Sequence, residues 1–109
     1  MQINITNSGD FTIVAIKGRI DTVTAGEFES KISELASGRG SKIILDCSGL
    51  DYISSSGLRV FLVTHKKTNA NGGHLRVCCL QPSIREIFDL TGFSSILDLR
   101  DELSSALDT

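Results

Sequence analysis

The sequence predicts an α/β domain in which a mixed β-sheet of four to five strands packs against about four helices. Two short apolar segments near the N-terminus flank Ser8-Gly9-Asp10, a combination typical of an antiparallel hairpin. Strand-like and helix-like segments then alternate to the end of the chain, and such alternation favours right-handed parallel crossovers. The length of 109 residues fits one domain, residues 1–109, since single domains usually hold about 100–150 residues.

The first part of the chain is predicted to hold two strands and a helix. The strands cover residues 2–7 and 11–17. Apolar residues then recur at a spacing nearer to that of a helix than of a strand, at Val23, Phe28, Ile32 and Leu35. Gly38 is expected to end this helix, and Asp21 or Thr22 to cap its start.

The middle of the chain is predicted to hold a buried strand and a second helix. The apolar run KIILDCS lacks the polar alternation of a half-exposed strand, which favours a central position in the sheet. This strand is expected to end at Asp46 or Cys47 and to be followed by a loop, SGLDYI. Helical periodicity then covers residues 56–69, and Asn71-Gly72-Gly73 is a typical helix stop.

The last third of the chain repeats the order of strand and helix. The segment HLRVCCL is predicted to be a strand, and Pro82 to open a helix that runs through Asp89 and ends at Gly92. The segment SSILDL is predicted to be a short strand, followed by a helix in DELSSAL.

Composition excludes several kinds of partner and location. A formal net charge of −2 and a pI near 5.6 provide no positive field to attract nucleic-acid phosphates. No segment approaches the roughly 18 apolar residues of a membrane span, and the N-terminus lacks the pattern of a signal peptide. We therefore expect a cytoplasmic protein that binds no nucleic acid directly.

The three cysteines predict neither a disulfide nor a metal site. Cys78 and Cys79 are adjacent, so in a regular strand their side chains would point to opposite faces, and Cys47 leaves the total odd. Metal-ligand spacings such as C-x-x-C and H-x-E are absent from the sequence. We expect buried free thiols and no cofactor.

Three consecutive serines, Ser54, Ser55 and Ser56, lie where the second helix is predicted to begin. Serine is among the best capping residues, and a cap contributes about 1 kcal/mol, so a purely structural role is the first interpretation. A cap needs one serine, however, and the positive end of a helix dipole also tolerates an added phosphate. Both interpretations remain open on these residues alone.

Several motifs in order resemble one known family. GRIDTVTAGEF, IILDCSGLDYISSSGLRVF and GGHLRVCCLQPSIREIFDLTGF are similar to segments of STAS-domain anti-sigma factor antagonists, also called anti-anti-sigma factors. The resemblance covers nearly the whole chain and implies a STAS-like fold. It also implies a non-enzymatic binding module that sequesters an anti-sigma factor serine kinase and thereby releases a sigma factor for transcription. A phosphoserine phosphatase would reset the switch.

The resemblance also implies which residues form the site. The family's phosphorylated serine matches Ser55, with Ser54 and Ser56 as alternative acceptors, and Ser56 matches the family's structural-cap position. Family members often carry aspartate where this chain has Ser54. The implied partner-binding surface comprises Asp21, Thr22, Ser54, Ser55, Ser56, Gly57 and Arg59. Asp21 is equally interpreted as a helix cap, and Arg59 as a residue that keeps an exposed face soluble.

Two functions other than that of an anti-sigma factor antagonist are alternatives for this sequence. The same domain could serve as a regulatory subunit of another assembly, such as a transporter-associated or stress-signalling complex. A small serine hydrolase is the alternative from a different class, but Ile53 replaces the first glycine of a G-x-S-x-G elbow. His65 lies about 15 Å along the helix from Ser55, so no catalytic triad is predicted.

Overall fold

A computed structural model describes residues 1–108, and it contains a five-stranded mixed sheet and four α-helices. The elements follow in the order β1 (Gln2–Ser8), β2 (Phe11–Ile20), α1 (Ala25–Ala36), β3 (Lys42–Ile53), α2 (Ser55–Ala70), β4 (His74–Cys78), α3 (Pro82–Leu90), β5 (Asp98–Arg100) and α4 (Leu103–Leu107). The predicted architecture is thereby confirmed. No helix within residues 1–108 has both the length and the apolar character that crossing a membrane requires.

The strands lie in the sheet in the same order as in the chain. β1 and β2 form the predicted antiparallel hairpin, and β2, β3, β4 and β5 are parallel neighbours. Parallel neighbours need a crossover segment between them, and α1, α2 and α3 supply these crossovers. The carboxyl ends of the parallel strands consequently lie along one edge of the sheet.

The main core lies between the sheet and these three crossover helices. Phe61 of α2 is fully buried between Phe28 of α1 and Phe88 of α3, with ring centroids 5.5 Å from each. Such tilted and edge-to-face pairs stabilise the fold beyond what the burial of their apolar surface contributes. A smaller core on the opposite face joins α4 to Phe11, Ile44 and other residues of the sheet.

Two strands are longer than the sequence predicted. β2 continues to Ile20, and β3 passes through the segment SGLDYI to Ile53, so the prediction of a loop there is wrong. The two strands stay paired because two register shifts absorb the irregularity. One of them lies beside Gly49, where an added Cβ would come within 3.2 Å of the Ile16 carbonyl oxygen. Glycine inside a strand often marks such a bulge.

Two predictions about side-chain position also need correction. Val23 was included in the helical spacing of the first helix, but α1 begins at Ala25 and Val23 is 88% exposed in the preceding turn. Cys78 and Cys79 do not alternate across the sheet, because β4 ends at Cys78 and Cys79 has a φ of 64°. Cys47 and Cys78 are buried free thiols, as predicted, whereas Cys79 is partly exposed.

Replacing Phe61 with alanine tests the central position of this ring in the core. We expect Phe61→Ala to lower the free energy of unfolding by about 3–5 kcal/mol, because a large buried ring leaves a cavity. Val63→Ala is the matched control on the same helix, since Val63 is 37% exposed and should cost much less. Chemical denaturation measures both, and equal losses would contradict the packing described.

Candidate partner-binding and phosphorylation site

The candidate site lies where two neighbouring parallel strands end. β2 ends at Ile20 and β3 at Ile53, and these residues face each other across the ladder. The Ser54 backbone N–H donates to the Ile20 carbonyl at 2.8 Å, which extends the pairing by one residue. The turn after β2 and the start of α2 therefore lie at the same edge of the sheet.

Ser54 is the N-cap of α2, whereas the sequence-based assignment placed the structural cap at Ser56. Ser54 has extended backbone angles, φ −86° and ψ 171°, and its hydroxyl accepts a hydrogen bond from the Gly57 N–H at 3.2 Å. Such a bond satisfies one of the N–H groups that a helix start leaves free. Ser56 lies inside the first turn, where its backbone is already helical and cannot act as the cap.

Ser55 is the first residue of α2 and is exposed. Its two neighbours, Ser54 and Ser56, are half-buried. Of the three candidate acceptors, Ser55 therefore presents its hydroxyl most openly to solvent, and the capping role belongs to another residue. A group added at Ser55 meets the positive end of a helix that has sixteen residues.

Gly57 fixes how closely α2 approaches the strand ends. It is buried, and a Cβ there would come within 2.7 Å of the Ile20 side chain and 2.8 Å of the Ile53 side chain. Gly57 belongs to the predicted partner-binding set, but its position at the core means that it places Ser55 and Arg59 rather than presenting a side chain itself.

Asp21 holds the turn that leads into α1. Its Oδ1 accepts hydrogen bonds from the N–H groups of Val23 and Thr24 at 3.0 and 2.9 Å, while the Asp21 N–H donates to the Thr24 hydroxyl at 2.9 Å. This reciprocal pattern is that of a capping box. Hydrogen bonding from the Thr24 backbone is the main reason that the pKa of the Asp21 carboxyl is lowered. Thr22, the alternative cap, lies exposed in the turn.

This turn precedes α1 rather than forming part of it. The N-cap residue of α1 is Thr24, and its side chain makes no capping bond to the helix. Asp21 therefore caps residues 22–24, and its carbonyl accepts from the Ala25 N–H at 2.9 Å. The carboxylate is held in one orientation, in a turn at the same edge of the sheet as the start of α2.

Arg59 lies one turn after Ser55 on the exposed side of α2. Its guanidinium pairs with Glu29 of α1 at 3.7 Å, and the Arg59 side chain is 67% exposed. An ion pair that exposed contributes little to stability, so the guanidinium is available to another anion. Residues four apart on a helix are neighbours, which places Arg59 within reach of a group on Ser55.

Arg19 and Tyr52 border the same edge and were missed by the sequence analysis. They are partners across β2 and β3, and the Arg19 guanidinium lies 4.1 Å from the centroid of the Tyr52 ring. Tyr52 is 40% exposed. Exposed tyrosine and arginine are enriched where proteins bind proteins. This stacking could not be predicted from the sequence, because residue 52 was assigned to a loop and not to a strand.

The two histidines lie in other surroundings. The His65 side chain is hydrogen-bonded to Asn69 on the same helix at 3.2 Å, and burial is the main reason that its pKa is lowered. His74 pairs with Asp98 at 2.7 Å, at the opposite ends of the strands from Ser55. Each histidine side chain is therefore bonded to another residue and lies away from Ser54, Ser55 and Ser56.

Comparisons with known proteins identify the family to which this fold belongs. A family model of the STAS domain matches residues 2–106. The chain belongs to the STAS domain family. It is 32% identical to the anti-sigma-B factor antagonist of Bacillus subtilis, over 91% of this chain and 92% of that protein.

Two further proteins are similar to this chain over nearly its whole length. The anti-sigma F factor antagonist of Paenibacillus polymyxa is 29% identical, over 98% of this chain and 92% of that protein. A crystal structure of an anti-sigma factor antagonist from Mycobacterium paratuberculosis matches with a TM-score of 0.86 at 26% identity, covering 97% of this chain and 90% of the other. The predicted family and fold of this STAS domain are therefore confirmed.

Alanine substitutions distinguish the capping serine from the exposed one. We expect Ser54→Ala to lower the free energy of unfolding by about 1 kcal/mol, because the Gly57 N–H loses its partner. Ser55→Ala should change it by less than about 0.5 kcal/mol, as is usual for exposed positions. Urea denaturation of the two variants measures the difference, and the reverse order of stabilities would show that the cap is assigned to the wrong residue.

A second substitution tests the close approach at Gly57. Gly57→Ala places a methyl group against Ile20 and Ile53, and such overpacking typically costs about 1–3 kcal/mol. Gly26→Ala in α1 is the matched control, since a Cβ there meets nothing within 4 Å, and it should be neutral or stabilising. Thermal unfolding checks both variants. A Gly57→Ala protein as stable as the Gly26→Ala protein would contradict the tight contact.

Proposed function

We propose that this STAS domain is an anti-sigma factor antagonist whose binding is switched by phosphorylation of Ser55. In this proposal the unphosphorylated chain binds an anti-sigma factor serine kinase in the cytoplasm and so releases a sigma factor. The single observation that carries the proposal is the exposed hydroxyl of Ser55 at the start of α2, beside a different serine that provides the cap.

The proposed partner surface surrounds this hydroxyl. It consists of the turn at Asp21 and Thr22, the first turn of α2 with Arg59, and the neighbouring pair of Arg19 and Tyr52. These groups come from two strand ends and one helix start that backbone hydrogen bonding holds together. The surface is therefore preformed, which reduces the entropic cost of binding.

Phosphorylation would change the charge of this surface while leaving the fold unaltered. A phosphoserine adds about −1.5 to −2 charges at a position whose side chain is exposed. The helix dipole and Arg59, four residues further on, both favour an anion there. The phosphate would thus compete with Glu29 for Arg59 and add negative charge beside Asp21. A partner that docks on the neutral surface would be repelled.

The role is one of binding rather than catalysis. The curated relatives named above are antagonists of anti-sigma factors, and that role extends to this chain as part of the proposal. The kinase supplies the phosphoryl transfer, and a phosphoserine phosphatase returns the chain to its binding form. The STAS domain itself supplies the acceptor hydroxyl and the docking surface.

Phosphopeptide mapping tests the acceptor. The chain is incubated with ATP and an anti-sigma factor kinase recovered with it by affinity pull-down, in parallel with Ser54→Ala, Ser55→Ala and Ser56→Ala. We expect one phosphate on Ser55 in the wild type and none in Ser55→Ala, because the other two hydroxyls are half-buried. Undiminished phosphate uptake by Ser55→Ala would remove Ser55 from the proposal.

Titration calorimetry with the same kinase tests the switch. Ser55→Glu should weaken binding by at least about tenfold, equivalent to about 1.4 kcal/mol. Ser104→Glu introduces the same charge at an exposed serine of α4, on the other face of the sheet, and should bind like the wild type. Equal affinities for all three proteins would contradict an electrostatic switch. A separate pull-down with the chain distinguishes the alternative: recovery of a transport ATPase and no anti-sigma factor kinase would favour the regulatory-subunit role.

A further inference from the structure

A second group of reactive side chains lies away from the serines, on the sheet face that α4 covers. It consists of Asp46 of β3 together with Cys78 and Cys79 at the end of β4. One carboxylate oxygen and the two sulfur atoms all lie within 4.8 Å of one another. We propose that these three residues, here called the dithiol–carboxylate cluster, bind one thiophilic divalent cation of the Zn²⁺ class.

The cluster exists because Cys79 departs from the strand. Consecutive side chains of a regular strand point to opposite faces, so Cys78 and Cys79 would be separated by the sheet. Cys79 instead has a φ of 64°, and it is the only non-glycine with positive φ among residues 1–108. This conformation brings its thiol to the same side as that of Cys78. Strained backbone of this kind clusters at functional sites.

The rest of the fold fixes the three ligand groups. Asp46 and Cys78 are direct partners in the ladder between β3 and β4, and side chains directly opposite each other share one face. The Cys79 N–H donates to the Arg100 carbonyl of β5 at 3.3 Å. The Ser48 N–H donates to Oδ1 of Asp46 at 3.1 Å, which orients the carboxylate and leaves its other oxygen for a ligand.

The donor set and its spacing suit zinc. Cysteine sulfur and aspartate oxygen are both common zinc ligands, and Zn–S bonds of about 2.3 Å in tetrahedral geometry place two sulfurs about 3.8 Å apart. The separation within the cluster allows that distance after small side-chain adjustments. Three protein ligands would leave a fourth position for water. Cys78 is fully buried, but Asp46 and Cys79 are partly exposed, so a cation has a route of entry.

Metal binding at the cluster is coupled to deprotonation of both thiols, because the thiolate is the form that ligates a metal. On binding, two metal–sulfur bonds replace two S–H bonds and both protons pass to solvent. The dication offsets two of the three negative charges that the two thiolates and the carboxylate carry, and no electron is transferred.

Cobalt(II) substitution tests the site on the reduced, full-length chain. We expect one Co²⁺ per chain, with a near-ultraviolet thiolate-to-cobalt charge-transfer band that one equivalent of Zn²⁺ abolishes. Cys47→Ala is the matched control, because Cys47 is buried in the other core and should keep the band. Asp46→Asn should weaken binding by at least about tenfold, since even the loss of an outer partner of a metal ligand typically costs that much.

A variant at Cys79 separates loss of the ligand from loss of the fold. Cys79→Gly removes one sulfur but suits the positive φ, so the variant should fold at least as stably as the wild type while losing the band. Zn²⁺ should raise the melting temperature of the wild type and leave that of Cys79→Gly unchanged. The proposal is overturned if the wild type shows no band at one equivalent, if Cys79→Gly keeps it, or if Cys47→Ala loses it.

Discussion

Parallel pairing of β2 with β3 is the constraint on which the candidate site depends. The two strands are partners as far as Ile20 and Ile53, and the Ser54 N–H adds one more bond to the Ile20 carbonyl. Because the strands end together, the Asp21 turn and the start of α2 must lie side by side. A loop in place of the second half of β3 would leave Ser55 without a fixed relation to Asp21. The position of the site is thus a consequence of sheet register.

Three adjacent serines have different roles because their backbone conformations differ. Ser54 is extended and uses its hydroxyl to hold the helix start, whereas Ser55 is helical and turned to solvent. A charge at Ser55 therefore has little effect on the cap. Gly57 completes this arrangement by allowing α2 to pack directly on the strand ends. The helix cap and the proposed phosphate acceptor are thus separate residues, as a reversible surface switch would require.

Sequence patterns predicted the element order well because periodicity and turn chemistry are local properties. Pro82 and the glycines after α2 marked helix boundaries correctly. The errors arose where tertiary structure overrides local preference. Gly49 and Asp51 resemble turn residues, yet both lie in β3 because the strand around them stays paired with β2. Val23 fits helical spacing but precedes the helix.

The candidate site was predictable only in part for the same reason. The serines and Asp21 could be identified from motifs and from helix-start chemistry. Arg19 and Tyr52 could not, because their stacking depends on the register of two strands. The dithiol–carboxylate cluster was also hidden, since the side-chain direction of Cys79 depends on one unusual φ angle. Long-range placement and rare backbone conformations are the properties that a single sequence conveys least.

The central claim is that a charge on Ser55 changes the surface and leaves the fold intact. Backbone amide chemical shifts of the chain carrying genetically encoded phosphoserine at position 55, compared with the unmodified chain, test it most directly. The account predicts shift changes confined to the first turns of α2, the turn at residues 21–24 and Arg59. Changes that spread through the buried strands β3 and β4 would contradict it.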